Sequence, residues 1–142
     1  MATALQVADS ILAELTAAAF SQPIVAKRLY VPNFDLEDSS QLQVTVVPRD
    51  VEITGLDRRR DMNEISVDVA VQKKFTKGDA AEIDPLVGLV EEIADHFKHR
   101  RLDSFPQALW TKAQHVVLYS PEHWEQLRQF TSLLTLVYRV AR

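Results

Sequence analysis

The closing stretch QFTSLLTLVYRVAR (129–142) limits the possible folds more than any other part of the chain. Phe130, Ser132, Leu134, Leu136, Tyr138 and Val140 fall on one side of an extended chain, the period-two pattern of a long strand with a buried face. The other side reads Thr131, Leu133, Thr135, Val137 and Arg139, so it too is partly apolar. Such a strand belongs inside a sheet and needs cover on both faces. With 142 residues, 46% of them apolar and 25% charged, the chain can bury a full core as one globular domain, and 1–142 is read as that single domain.

The remaining periodicities set the element order. Residues 3–20 carry Leu5, Ala8, Ile11, Leu12, Leu15 and Ala19 at helical spacing, with Thr3 as cap and Asp9 and Glu14 off the stripe. Pro23 pushes the preceding residue out of the helical region and ends this helix near Ser21-Gln22. VAKRLYVP (25–32) and LQVTVVP (42–48) read as strands joined by an acidic connection at 33–41, and VEITGL (51–56) resumes the sheet after a break. DRRRDMN (57–63) is a charged loop. In EISVDVAVQKKF (64–75), Ile65, Val67, Val69 and Val71 face inward, and Ser66, Asp68, Ala70 and Gln72 face outward.

A second helix is expected over 84–99, capped by Asp84 with Pro85 at its first position and Leu86, Val90, Ile93, Ala94 and Phe97 as its stripe. QHVVLYS (114–120) is a strand, SPEHWEQ (120–126) a turn or short helical piece, and the final strand follows. The expected fold is α+β, two helices on one face of a mainly antiparallel sheet, in the order α-β-β-β-(β)-α-β-β.

Several chemistries are excluded. The glycines, Gly55, Gly78 and Gly88, are isolated, so no phosphate-binding loop, dinucleotide fingerprint or glycine-flanked serine nucleophile is present. The chain has no cysteine, which excludes disulfides and thiolate metal sites. The opening residues lack the form of a signal peptide, and no uncharged run approaches the ~18–20 residues of a membrane span. The net charge of −4 argues against a surface built throughout for nucleic acid. His96 and His99 lie one helical turn apart, but a metal site would need a third ligand from His115 or His123. The plainer reading is two polar residues at a helix end, and the chain calls for no cofactor, metal or catalytic residue. Glu91-Glu92 and Glu37-Asp38 are adjacent in sequence and diverge, as a solvated acidic surface does. Trp110 and Trp124 sit in irregular stretches, as core plugs or interface anchors.

Two helices cover one sheet face only, so the apolar groups on the other face want either a folded-back segment (34–41 or 101–113) or a neighbouring subunit. The second is favoured. The helix LQVADSILAELTAAAF, the strand segments LQVTVVPRDVEI and EISVDVAVQKKF, the helix IDPLVGLVEEIADHF and the closing QFTSLLTLVYRV together resemble the tail-terminator (tail-completion) proteins of long-tailed bacteriophages and prophages. The resemblance rests on element order and hydrophobic pattern across nearly the whole chain. It implies a non-enzymatic virion protein of the tail or neck, made in the host bacterial cytoplasm. Such a protein forms a homohexameric ring that caps the tail tube, ends its polymerisation and meets the head–tail connector, with DNA passing through the lumen and no membrane involved. Small head–tail connector (neck) proteins share the size and layout; a small metal-dependent enzyme and a cellular homodimeric binding module are the remaining alternatives. A head-to-tail ring needs two different patches on each subunit. The expected patches are the sheet face around Leu133 and Val137 and the loop Arg58, Arg59 and Arg60.

Overall fold

A computed structural model describes residues 2–30 and 42–142. They form, in chain order, α1 (Thr3–Ala17), β1 (Val25–Arg28), β2 (Gln43–Gly55), β3 (Asp61–Lys74), α2 (Ala80–Phe97), β4 (Leu109–Val117), α3 (Pro121–Leu127) and β5 (Gln129–Ala141). The five strands make one mixed sheet in the order β1-β2-β3-β5-β4, in which β1 runs parallel to β2 and every other pairing is antiparallel. The fold is therefore α+β, as the element order predicts. The acidic connection expected at 33–41 lies outside the described residues.

The core lies between one sheet face and the two longer helices. Val7, Ile11 and Leu15 of α1 and Leu86, Leu89, Ile93 and Phe97 of α2 pack on Val44, Val46, Ile65, Val67, Val69 and Val71. Phe130, Leu134, Leu136, Tyr138 and Val140 of β5 complete that face, so the alternation expected of the last strand holds residue by residue. Burial pushes the Tyr138 hydroxyl far above its ordinary range. The segment before β4 adds Leu102 and Ala108 to the same core.

Local chemistry moves several boundaries. Ala2, not Thr3, is the cap position of α1 and makes no side-chain bond; the Thr3 hydroxyl instead accepts from Arg142 Nη1 at 2.7 Å. Glu14, expected off the stripe, is buried, because three and seven residues after Ile11 and Val7 it lies on the inward side of the helix. Its carboxylate is met there by His96 Nε2 at 3.2 Å, Arg100 Nε at 3.6 Å and the Asp103 amide at 3.3 Å. Ala19, expected on the stripe, is exposed beyond the end of α1.

Helix α2 starts one turn before the expected position. Asp79, not Asp84, is the cap and accepts from the Glu82 amide at 3.1 Å. Pro85 thus lies inside the helix and removes one intrahelical bond; the burial of Ile83 and Leu86 outweighs that loss. The two strand segments expected at 42–48 and 51–56 are one strand, β2, whose register shifts by a bulge between Pro48 and Asp50. β4 begins at Leu109, five residues before its expected start, and β5 pairs with it across two register shifts.

Candidate functional site

The charged loop is the tip of a long arm. β2 and β3 pair as a hairpin from Gln43↔Gln72 to Gly55↔Asp61, but β1 flanks only Gln43–Val46. Past the bulge at Arg49, the outer edge of β2 has no strand partner among the described residues, and every residue from Arg49 to Asp61 is exposed. Val51, Ile53 and Leu56 are among them. Arg49 itself turns back over the sheet to Asp68 at 3.4 Å, and Asp68 also accepts from the Thr135 hydroxyl at 2.7 Å.

The tip is built by Asp57. One carboxylate oxygen accepts from the Arg59 and Arg60 amides, each at 2.8 Å, the side-chain-to-backbone closure that favours Asp in tight turns. The other oxygen accepts from the Arg60 guanidinium at 3.1 and 3.0 Å. The Arg59 amide, and after it the Arg60 side chain and amide, hold the Asp57 carboxyl below the usual range. The three arginines thus separate: Arg60 belongs to the turn, while the side chains of Arg58 and Arg59 are exposed and have no partner among the described residues.

The other expected patch behaves differently. Leu133 is partly exposed, but Val137 is 3% exposed within the single chain. Around it on the same sheet face Thr45, Val47, Ser66, Asp68, Ala70, Gln72, Thr131 and Thr135 are buried as well. The residues assigned outward in β3 are therefore enclosed too, and Val137 offers no free apolar surface to a neighbour. α3 meets one end of this face, where His123 Nδ1 lies 2.9 Å from the Thr131 hydroxyl. Open apolar groups stand elsewhere, at Val25 and Tyr30 beside β1, on the arm, and at Val116, Leu118 and Tyr119 in and after β4.

At the end of β3 opposite the arm, two helix starts flank an open cavity. The chain leaves β3 through Phe75 and turns at Gly78, whose φ is 68°. A Cβ there would stand 2.9 Å from the Phe75 ring and 3.2 Å from Trp124, so both backbone angle and space require glycine. Glu82, three residues after the Asp79 cap, receives the Thr76, Lys77 and Gly78 amides at 2.7, 3.0 and 3.4 Å. These donors, the Lys77 amide foremost, hold its carboxyl below the ordinary glutamate range. On the other wall Ser120 caps α3 and Pro121 occupies its first turn. Trp124 tilts against Phe75 at 4.5 Å between ring centroids and against Tyr119 at 5.7 Å. The cavity between these walls measures about 490 Å³ and includes Ile83, Val87, Tyr119 and Trp124 with Asp84 and Glu125 in its lining. Neither of these two carboxylates has a partner among the described residues.

The histidines do not converge. His96 faces Glu14; His99, left-handed at φ 56° past the end of α2, packs edge-on against Trp110 at 4.7 Å. His115 is exposed on β4, and His123 lies against Thr131. Among the described residues no group of three or more His, Cys, Asp or Glu side chains is placed to hold a metal ion. No helix among them is long and apolar enough to cross a membrane. Trp110 and Trp124 both pack against the core, Trp124 also forming the cavity wall. No protein-family model matches the chain, and no curated protein matches it.

Sequence reasoning placed the Arg58–Arg60 loop on the surface but missed the cavity. Its signal was present as Gly78, a glycine after a strand, followed by Asp-x-x-Glu at Asp79 and Glu82, which marks a helix start. What the pattern lacks is any sign that residues 119–125 would come to lie across from it.

Proposed function

We propose that this chain is a structural protein of a long-tailed bacteriophage or prophage particle, which caps the tail tube as a ring of like subunits and forms the head–tail joining surface. The observation that carries the reading is the arm. Residues 49–61 form an ordered, strand-paired extension that contributes nothing to the core of its own chain, since all of them are exposed. It carries the apolar side chains Val51, Ile53 and Leu56 and an open β edge. Exposed unpaired edges with apolar side chains are either protected or used for association. Val25 and Tyr30 at one sheet edge, and Val116 and Tyr119 at the other, provide further apolar surface on separate sides of the subunit. Different patches on different sides suit a heterologous contact that closes into a ring. The resemblance to tail terminators in element order supplies the biological setting.

The test is the solution mass of the purified protein by light scattering over a range of concentrations, with negative-stain images of the same samples. Closed rings, expected to be hexameric, support the reading. A dimer that persists on dilution would point instead to a homodimeric binding module, and a monomer that also leaves the ends of added, purified tail tubes uncapped would remove the reading.

A further inference from the structure

Two of the features left over from the subunit's own folding are complementary. At one end of β3 the hairpin tip presents Arg58 and Arg59, exposed and without partners among the described residues. At the other end the cavity walled by Tyr119 and Trp124 carries Asp84 and Glu125, likewise without partners there. We infer that the arginine tip of one copy docks into the aromatic, acidic cavity of the next, and that this contact is the repeating joint of the ring.

The chemistry favours an arginine as the occupant. A guanidinium is planar, stacks on Trp and Tyr faces and donates in a fork to carboxylates. A cavity of about 490 Å³ falls within the ordinary range for pockets that enclose a ligand group. The positive end of the α2 dipole also points toward this region. The Asp79 cap and the Glu82 carboxylate, bound to three amides, already answer it. Lys77 beside Gly78, Lys73 acting on Glu82 and Arg128 lying over the Phe75 ring at 5.6 Å bring three positive charges to this end, so the four carboxylates of Asp79, Glu82, Asp84 and Glu125 leave a surplus of one.

The placement makes the contact directional. Strand β3 separates tip and cavity by its 14 residues, a span of roughly 45 Å at the usual rise per residue. A tip that far away does not reach the cavity of its own subunit, because the arm is paired rigidly along the same strand. A second copy supplies it, and repeating the step generates head-to-tail assembly. The inference rests on the ring reading and names its joint.

Charge reversal tests it. Arg58→Glu with Arg59→Glu makes the tip acidic, and Asp84→Lys with Glu125→Lys makes the cavity rim basic. All four side chains are exposed, so circular dichroism should show both variants folded. Each variant alone should lose assembly, with the pairwise contact weakened about 30-fold or more. An equimolar mixture should restore the wild-type mass by light scattering, since acidic tips then meet basic cavities and basic tips meet acidic ones. Assembly of wild type should also weaken as salt is raised. Wild-type rings together with variants that still assemble alone, or with a mixture that stays monomeric, would overturn the joint while leaving the ring reading intact. A wild type that assembles neither alone nor on added, purified tail tubes would overturn both.

Discussion

Val137 separates two accounts of the far sheet face by a single substitution. If the face is an open surface covered by a neighbour, Val137→Asp leaves a folded monomer that does not assemble. The structure gives the opposite expectation, because the side chain is 3% exposed within one chain and is surrounded by buried neighbours. Val137→Ala removes two buried methyl groups at about 0.8 kcal/mol each, and a residual cavity brings the cost to roughly 2 kcal/mol. A domain of this size loses about 3–4 °C in Tm per kcal/mol, so the alanine variant should melt roughly 6–8 °C lower. Val137→Asp places a carboxylate beside Asp68 on the same face; Lys112, opposite on β4, offsets part of the penalty. A cost of about 3–5 kcal/mol remains, a large part of the 5–15 kcal/mol that holds an ordinary domain together. The assay is thermal unfolding followed by circular dichroism at two protein concentrations, because assembly itself raises Tm. An aspartate variant with wild-type Tm at the lower concentration, and with assembly lost, would refute the burial argument.

Gly78→Ala should destabilise the chain by about 1–3 kcal/mol, from left-handed strain and the 2.9 Å approach to Phe75, and urea unfolding would measure it. Glu14→Ala leaves His96, Arg100 and the Asp103 amide without their shared acceptor, at a cost of about 1–3 kcal/mol; unchanged urea stability would show the cluster to be incidental. Glu82 has its folded pKa lowered by backbone donors, so its contribution is complete above the ordinary glutamate range and is lost as pH falls through the lowered value. Glu82→Gln should therefore be less stable than wild type at neutral pH and converge with it as the solution is acidified; a gap that persists at low pH would contradict this.

What could be read in the chain, and what could not, follows the range of the forces involved. The alternation in 129–140 and 65–71 determined both strands and which side faces the helices, because side-chain direction in an extended chain depends only on position. The same holds for the stripe of α1, and it explains Glu14: geometry placed it inward, while its charge suggested otherwise. Only the fold supplied His96, Arg100 and the Asp103 amide, from 82 or more residues away, that make an inward carboxylate tolerable. The start of α2 is legible in Asp79 and Glu82, whereas Pro85, a residue preferred at the first helical position, points to a later start.

Coverage was different. That Val137 is enclosed, that the arm runs beyond the reach of β1, and that Trp124 stands across Gly78 depend on which distant segments meet. The sequence by itself determined the elements, their faces and the α+β class, since neighbours along the chain set local geometry. The tertiary structure decided which apolar groups are core and which are surface, and it alone placed an arginine tip and an acidic cavity at opposite ends of one strand, because burial is a property of the whole packed chain.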